Sequence, residues 1–288
     1  MERDAWLAQR RLSIGASDWP RILLGQFGGP HAVWREKLGL DTPTDETEGQ
    51  SLGHALEKTI VDLAVQKLGW GKPQRRRFQV VKQNGIYAAT LDALLTYPDG
   101  PRVIECKTAG RVGEDAKDGW KLQSQAQMYC SGIRRHAVAA LGGGWGGLAL
   151  RCWEQEYDEE LVALALPALE TFWEMVRSRT PPAWDGSESA DVTLKVAFSG
   201  GAPAREPTDE ERAWAETARR CKAEAKLAEQ QLRASMGDCD ALAGLCTWTT
   251  QAGRKTVDSK ALRETHPDVY AEVVREGAPV RVFRWKGE

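Results

Sequence analysis

The sequence has no long apolar run and no export signal at its start. No stretch approaches the roughly 18 consecutive apolar residues that a membrane-spanning helix needs. The first four residues, Met-Glu-Arg-Asp, do not begin a signal peptide. These absences argue against membrane-spanning and secreted proteins, and we expect a cytoplasmic protein that does not bind membranes.

The six cysteines lack the spacing of a disulfide or metal-binding framework. They are scattered along the chain without any Cys-x-x-Cys pair, so we expect reduced thiols. The scatter also argues against an iron–sulfur cluster, which needs several thiolates brought together.

A surplus of basic residues is also missing. The chain has 39 Lys and Arg residues against 41 Asp and Glu residues, which gives a net charge of −2. Bulk attraction to a polyanion is therefore not expected, and any such contact must come from local basic patches. Arginine pairs or triplets occur at residues 10–11, 75–77 and 134–135, although a charge run is more often a solvated face than a binding site.

What the chain does have is an ordinary globular composition, with 42% apolar and 28% charged residues. Its length predicts one large domain or two unequal domains. The composition changes after about residue 185, where Gly-, Ser- and Pro-containing segments enclose a strand-like stretch at 192–198. We therefore expect a main domain at 1–185, a linker at 186–207 and a C-terminal module at 208–288.

The C-terminal module begins with a capping box at Thr208 and Glu211, which predicts a helix that ends before Gly237. Within this helix, mostly small apolar residues recur at alternating spacings of four and three. A hairpin at 245–257, two short helices around Pro267 and a final strand at 280–285 complete an expected α+β module. The small-residue face suits close packing on the module's own hairpin, on another subunit or on a partner protein.

Two short segments in the first half of the chain are the most informative. Residues 88–92 and 103–107 are apolar and strand-like, and the turn sequence Tyr-Pro-Asp-Gly-Pro separates them at 97–101. Because side chains alternate along a strand, Glu105 and Lys107 point to the same face. If the hairpin places them beside Asp92, two carboxylates and one ammonium group converge.

That combination is typical of a metal-dependent phosphodiesterase. Mg²⁺ takes oxygen ligands, and one or two carboxylates hold it while water and phosphate complete its coordination. A lysine beside the metal orients or deprotonates the attacking water and stabilises negative charge. The alternative is a solvated Glu-x-Lys on an edge strand, which is common at protein surfaces.

Two predicted helices flank the hairpin in sequence. The first, at about 52–68, has an apolar stripe with Glu57 just beside it, where a carboxylate can face a cleft next to the sheet. The second, at about 120–129, carries Gln123, with Leu122 and Ala126 facing the core.

The order helix Glu, strand Asp, strand Glu-x-Lys and helix Gln resembles the PD-(D/E)XK nuclease superfamily. More specifically, the chain resembles the phage lambda exonuclease (YqaJ-like) viral recombinases. Further landmarks occur in family order: Trp6 with Arg10, the Leu-Ser-Ile-Gly-Ala-Ser-Asp run at 12–18, Gly25, the Trp-Arg-Glu-Lys-Leu-Gly run at 34–39 and the Gly-x-x-x-Glu at 53–57. This resemblance implies an α/β fold with a restriction-endonuclease-like core, whose mixed central sheet is flanked by helices.

The resemblance also implies roles for particular residues. Asp92 and Glu105 would be the principal ligands of Mg²⁺, for which Mn²⁺ can substitute, with Glu57 as a further acidic ligand and Cys106 also among the metal-binding residues. Lys107 would position or activate the attacking water, and Gln123 would support the site.

A second group of residues falls where the family contacts DNA. Arg10, Ser17 and Thr90 occupy positions that anchor a 5′ phosphate, and guanidinium groups and hydroxyls are natural phosphate partners. Arg75, Arg76 and Arg77, which directly precede a predicted core strand, are further candidates for DNA contact. Two departures from the family pattern are Thr-Leu before Asp92, in place of a small residue or Pro, and Trp120 in place of Tyr.

By resemblance, the chain would be a Mg²⁺-dependent 5′-to-3′ exonuclease of linear double-stranded DNA in the cytoplasm of a bacterial host cell. It would leave 3′ overhangs for a single-strand annealing protein, and it would form a homo-oligomer, a ring-shaped trimer. Two alternatives stay open: an endonucleolytic or RecB-like enzyme of the same fold, and a non-catalytic DNA-binding assembly protein. The intact acidic residues and Lys107 argue against the last of these.

Overall fold

The computed structural model describes residues 8, 10–41, 47–144, 147–198, 200–253, 256–275 and 283. It divides the chain into two compact units, Met1–Ser199 and Gly200–Glu288. Trp6, Trp145 and all but one residue of the strand predicted at 280–285 lie outside the described residues.

The first unit is built on one six-stranded sheet. Its strands are β1 (Ile14–Gly15), β2 (Arg75–Asn84), β3 (Tyr87–Tyr97), β4 (Gly100–Arg111), β5 (His136–Gly144) and β6 (Gly147–Gln155). Its helices are α1 (Trp19–Leu24), α2 (Gly29–Leu38), α3 (Glu48–Lys67), α4 (Asp118–Ser131), α5 (Glu159–Arg177) and α6 (Glu188–Ala197).

The strand order is β1-β3-β4-β5-β6, with β2 paired along β3. The β1–β3 and β4–β5 pairs are parallel, whereas the β2–β3, β3–β4 and β5–β6 pairs are antiparallel. The parallel β4–β5 pair needs a crossover, which α4 supplies. The predicted α/β class with a mixed central sheet flanked by helices is therefore confirmed.

Apolar residues bury both faces of this sheet. On one face Trp19, Leu91 and Leu169 belong to a core that includes residues of α1, α2, α4 and α5. On the other face Ile60 and Ile104 belong to a second core between α3 and the sheet. The sheet is thus covered on both sides, as expected for a sheet with parallel pairing.

The hairpin predicted around the Tyr-Pro-Asp-Gly-Pro turn is confirmed and is longer than expected. Tyr97 pairs with Gly100, so the connection has two residues. Gly100 has φ of +121°, a conformation that side chains rarely adopt, which explains the glycine at this position. The two strands run well past the predicted segments in both directions.

In the glycine-rich run at 142–147, the glycines that the structure describes belong to strands. Gly142 to Gly144 end β5, and Gly147 begins β6. A Cβ on Gly142 would lie 2.3 Å from the backbone oxygen of Ala109, so the glycines allow β5 to approach β4 closely.

The strand-like stretch predicted at 192–198 is wrong, because most of it belongs to α6. Its alternating apolar residues misled the prediction, since Val192, Leu194 and Val196 are largely exposed. The helix starts at Ser187, whose hydroxyl accepts from the backbone N–H of Ala190. Arg35 of α2 holds it in place.

Arg35 connects α2 to α6 through one guanidinium nitrogen. Its Nη1 donates to the backbone oxygen of Ser189 (2.7 Å) and to the hydroxyl of Thr193 (2.7 Å), which is fully buried. Residues 188–197 are therefore part of the first unit and not a loose linker.

The second unit contains α7 (Asp209–Met236), a short hairpin of β7 (Ala241–Leu242) and β8 (Cys246–Thr247), α8 (Ser259–Thr265) and α9 (Pro267–Val273). The capping box at Thr208 and Glu211 and the two helices around Pro267 are confirmed. The hairpin is nearer to α7 than predicted, because Gly244, with φ of +73°, makes a tighter turn earlier in the chain.

None of the helices in the described residues is long and apolar enough to cross a membrane.

Candidate active site

Asp92 lies where the pairing of β3 is interrupted on both sides. The β3–β4 ladder starts at Ala93, one residue after Asp92, and the β2–β3 ladder passes from Ala93 to Leu91 without a partner for Asp92. The carboxylate of Asp92 takes the place of a ladder bond, since its Oδ2 accepts from the backbone N–H of Cys106 (2.9 Å). The two strands separate here and leave room for side chains.

Glu105 and Lys107 share one face of β4, as predicted, and they form an ion pair with 2.6 Å between Glu105 Oε1 and Lys107 Nζ. Gln123 of α4 completes a triangle with them. Its Nε2 donates to Glu105 Oε1 (2.6 Å), and its Oε1 accepts from Lys107 (2.9 Å). The structure thus brings these three predicted residues together.

Gln127 and His136 extend this cluster, and the sequence interpretation missed both. Gln127 Nε2 donates to Glu105 Oε2 (2.6 Å) and to the backbone oxygen of Thr90 (3.1 Å). Its Oε1 lies 2.7 Å from Nε2 of His136, which is buried at the start of β5. A signal existed for Gln127, because it follows Gln123 by four residues and so shares its helix face.

Glu57 is held beside the cluster by Gln79 of β2. Gln79 Nε2 donates to Glu57 Oε2 (2.8 Å). Gln79 is the residue that the β2–β3 ladder skips opposite Asp92, and its φ of +51° is unusual for a residue other than glycine. Gln79 and its side chain thereby reach α3, an arrangement that the sequence does not reveal.

We call Glu57, Asp92, Glu105 and Lys107 the acidic cluster. Burial raises the pKa of Asp92 well above its usual range, and the negative charge of Glu105 raises it further. Although burial alone would raise the pKa of Glu105, the Lys107 ammonium and the bond from Gln127 lower it below the ordinary value. Burial alone would lower the pKa of Lys107, but Glu105 raises it, so Lys107 carries its proton.

The acidic cluster has the donor chemistry of a divalent-cation site. It contains three carboxylates and one ammonium group, and a bound cation relieves the repulsion of Asp92 by Glu105 and Glu57. Within the described ranges, no three His, Cys, Asp or Glu side chains already stand in a metal-binding arrangement. The two oxygens of Glu105 accept hydrogen bonds from Lys107, Gln123 and Gln127.

Cys106 does not fit Mg²⁺ through its sulfur. Burial and the neighbouring Asp92 and Glu105 raise the pKa of its thiol far above the usual range, so a thiolate is disfavoured. Mg²⁺ also prefers oxygen to sulfur. The backbone N–H of Cys106 is already engaged by Asp92, which leaves its backbone carbonyl as the group able to bind such a cation.

A second polar group lies near the start of the chain. We call Arg10, Ser17, Asp18, Arg21 and Lys37 the arginine cluster. Arg10 Nη2 donates to the hydroxyl of Ser17 (3.2 Å), so two of the predicted phosphate-anchoring residues are in contact. Asp18, with no exposed surface, lies beneath them and pairs with Lys37 (2.6 Å), Arg10 (3.6 Å) and Arg21 (3.7 Å).

Burial by itself would raise the pKa of Asp18, but Lys37 and Arg10 outweigh it and hold this pKa below the ordinary value. Lys37 also donates to the backbone oxygen of Arg10 (2.9 Å), which fixes the chain that carries the guanidinium. Arg21 is paired in addition with Glu36. The arginine cluster therefore has its cations organised around one buried carboxylate.

The remaining predicted DNA-binding residues lie on β3 and β2. Thr90 lies on β3 two residues after Ala88, which pairs with Gly15 of β1. The backbone oxygen of Thr90 accepts a hydrogen bond from Gln127. Arg75, Arg76 and Arg77 are exposed and lie within β2, not ahead of a core strand as expected. Since β2 has an exposed, edge-like burial pattern, these arginines face solvent, and Arg76 pairs with Asp62 of α3.

The part of the chain that carries both clusters resembles a known family. Residues 5–134 match the model of the YqaJ-like viral recombinase domain. Over 303 residues, which cover 96% of this chain and 92% of the relative, the chain is 26% identical to the "Uncharacterized protein YqaJ" of Bacillus subtilis (strain 168).

Two solved structures are also similar. An alkaline exonuclease (LHK-Exo) from Laribacter hongkongensis has 14% identity and a TM-score of 0.47, covering 67% of this chain and 98% of that one. A phage related exonuclease from Haemophilus somnus 129PT has 12% identity and a TM-score of 0.43, covering 58% and 96%. Because these TM-scores are low, we assign no residue of this chain from the two structures.

The matched segment contains the acidic cluster, the arginine cluster, Gln123 and Gln127, and His136 lies just beyond it. The resemblance inferred from the sequence is thereby confirmed: residues 5–134 of this chain match the model of the YqaJ-like viral recombinase domain.

Proposed function

We propose that this chain is a Mg²⁺-dependent exonuclease that digests linear double-stranded DNA from its 5′ ends and leaves 3′ overhangs. The observation that carries the proposal is the acidic cluster, in which buried Glu105 is bonded to Lys107 and Gln123 next to Asp92. The match of residues 5–134 to the YqaJ-like viral recombinase domain supports the proposal.

Asp92, Glu105 and Glu57 would hold the cation, with the backbone carbonyl of Cys106 as a further oxygen donor. When bound, Mg²⁺ supplies charge neutralisation at the phosphate and a more acidic water. Mn²⁺ would occupy the same oxygen donors.

Lys107 acts in this scheme as a proton-bearing donor and not as a base. Its ammonium is stabilised by Glu105 and is buried beside it, so it keeps its proton at neutral pH. A donor fixed in that place orients the attacking water or stabilises the negative charge of the transition state. Gln123 holds the Lys107 ammonium group and the Glu105 carboxylate in place by a hydrogen bond to each.

Preference for 5′ ends would come from the arginine cluster. Arg10 and Ser17 offer a guanidinium and a hydroxyl, and a terminal phosphate accepts hydrogen bonds from both. Thr90 and the exposed arginines of β2 would add contacts to the DNA backbone. An enzyme anchored in this way works from an end, whereas an endonuclease of the same fold needs no such anchor.

Residues 186–288 contain no part of the acidic cluster. We place assembly into a homo-oligomer and contact with a single-strand annealing protein in residues 208–288, with the nuclease function in residues 1–185 and the segment 186–207 between them. The long exposed helix α7 supports this division, because its apolar residues Trp214 and Leu227 remain largely exposed.

The test is digestion of a linear duplex labelled separately at each 5′ and 3′ end, with Mg²⁺ and with EDTA. We expect early release of the 5′ label, late release of the 3′ label, and no release in EDTA. Closed circular DNA serves as the control, and cutting of the circle or equal release of both labels would favour the endonucleolytic alternative. Binding without any release would favour a non-catalytic DNA-binding protein.

A further inference from the structure

A buried glutamine joins the two strands that carry the carboxylates. Gln127 has no exposed surface, and its Nε2 donates both to Glu105 Oε2 on β4 (2.6 Å) and to the backbone oxygen of Thr90 on β3 (3.1 Å). Thr90 is two residues before Asp92. One amide group therefore bridges β3 and β4 close to both principal carboxylates.

The bridge lies where the sheet itself provides no ladder between these strands. The described β3–β4 ladder begins at Ala93 and Ile104, so Asp92 and Glu105 lie just outside it. Backbone pairing fixes strand separation elsewhere in the sheet, but at this point side-chain bonds must do so.

His136 determines which way the Gln127 amide points. Two oxygen acceptors surround Nε2 of Gln127, so the NH₂ group must face them and Oε1 must face His136. Oε1 then accepts from Nε2–H of His136 at 2.7 Å. His136 is buried, and burial lowers its pKa to about 4, so the ring is neutral and keeps one donor.

We propose that Gln127, oriented by His136, is a positioning residue that sets the placement of the Glu105 carboxylate relative to Asp92 and thereby tunes the affinity of the acidic cluster for a divalent cation. This rests on the proposed function, since it concerns the same site. Residues behind metal ligands commonly act in this way, and their loss weakens metal affinity about 10- to 100-fold.

The chain offers a matched control in Gln125. It lies on the same helix and is also buried, but it bonds the backbone of the loop before α5, donating to Glu156 (2.7 Å) and accepting from Asp158 (2.9 Å). Gln125→Met and Gln127→Met thus remove the same chemical group from the same helix, and only the second removes a bond to Glu105.

The experiment measures Mn²⁺ binding by electron paramagnetic resonance in the full chain without DNA, together with the melting temperature in EDTA. We expect Gln127→Met to weaken Mn²⁺ binding about 10-fold or more, and Gln125→Met to leave it unchanged even if both lower the melting temperature. In the presence of DNA, the Mg²⁺ concentration for half-maximal cleavage should rise for Gln127→Met, whereas KM for DNA should not.

His136 provides a second test that does not depend on how Gln127→Met folds. His136→Leu removes the donor and should weaken Mn²⁺ binding, whereas His136→Gln, whose amide nitrogen reaches a similar position, should restore it. Equal Mn²⁺ affinity in wild type, Gln127→Met and His136→Leu would overturn the inference and leave the nuclease proposal standing. Absence of Mn²⁺ binding in the wild type would overturn both.

Discussion

Two lysine–carboxylate pairs with buried carboxylates lie in the first unit, and their surroundings are opposite in charge. The separation is 2.6 Å in both, between Glu105 and Lys107 in the acidic cluster and between Asp18 and Lys37 in the arginine cluster. Around the first pair the additional groups are carboxylates, and around the second they are mainly guanidinium groups. The same kind of pair is therefore set in two opposite charge environments.

The surplus charge decides which ligand each cluster suits. An acidic surplus is relieved by a cation, and a basic surplus is relieved by a phosphate. The comparison also separates two pKa effects: neighbours raise the pKa of Asp92 and lower that of Asp18.

The largest effect is expected from removing a carboxylate of the acidic cluster. Asp92→Asn or Glu105→Gln should abolish Mg²⁺-dependent cleavage, because the cation loses a charged ligand. Asp99→Asn is the control, since Asp99 is an exposed carboxylate at the other end of the same hairpin, where it pairs with Arg102. Cleavage close to wild type by either cluster variant, measured on end-labelled duplex, would reject the site.

Replacing the cation of the acidic cluster should have the next largest effect. Lys107→Ala should lower turnover by roughly 100- to 1000-fold, as does loss of a donor that stabilises transition-state charge, and should leave DNA affinity nearly unchanged. Lys107→Arg should rescue poorly, because a guanidinium group is bulkier and differently shaped. If saturating DNA restored turnover in Lys107→Ala, Lys107 would instead be a phosphate contact.

The two buried aspartates should have opposite effects on stability. Asp18→Ala leaves Lys37 without its partner and should cost about 3–5 kcal/mol in the free energy of unfolding. Asp92→Asn should stabilise the protein in EDTA at neutral pH, because it removes a buried charge that Glu105 repels. Urea unfolding measures both, and destabilisation by Asp92→Asn would contradict the charge assignment.

The pH dependence of unfolding should separate the same two residues. The lowered pKa of Asp18 contributes stability above its unfolded value of 3.8, and this contribution is lost as the pH falls through the folded pKa. The raised pKa of Asp92 contributes stability below 3.8, and this contribution is lost as the pH rises through the folded pKa. In EDTA, the free energy of unfolding should therefore fall less steeply towards neutral pH in Asp92→Asn than in the wild type.

Local pattern was enough to predict part of the acidic cluster. The alternation of a strand placed Glu105 beside Lys107, and a turn sequence placed both near Asp92. Gln123 and Glu57 followed from family resemblance. These residues depend on the period of a single element or on a known order of motifs, and both are visible in one sequence.

The residues that were missed depend on contacts between distant elements. His136 reaches the site only because β5 pairs with β4, and Gln79 does so at an interruption of the β2–β3 ladder where its φ is positive. In the same way, the alternating apolar residues after Val192 predicted a strand, but the bonds from Arg35 stabilise a helix. Tertiary contacts override local preference at such places.

A smaller and more selective effect is expected in the arginine cluster. Arg10→Ala should lower activity on 5′-phosphorylated duplexes about 10-fold, consistent with loss of a charge-assisted hydrogen bond, and should reduce the advantage of these ends over 5′-hydroxyl ends. Arg11→Ala, at the neighbouring position, is the control and should keep the preference. Equal losses on both kinds of end would show that Arg10 is structural or a general backbone contact.

The smallest effect on the chemistry itself is expected from removing the second unit. A chain of residues 1–199 keeps both clusters and α6, so it should bind Mn²⁺ and cleave short duplexes nearly as the full chain does. A chain ending at residue 187 lacks the bonds from Arg35 to Ser189 and Thr193 and should melt at a lower temperature.

Light scattering and product length on long duplexes then test assembly and processivity, which should be lost in residues 1–199. If that chain matched the full chain in mass and product length, the second unit would have no part in assembly, and if it lost Mn²⁺ binding, the acidic cluster would not be independent of it.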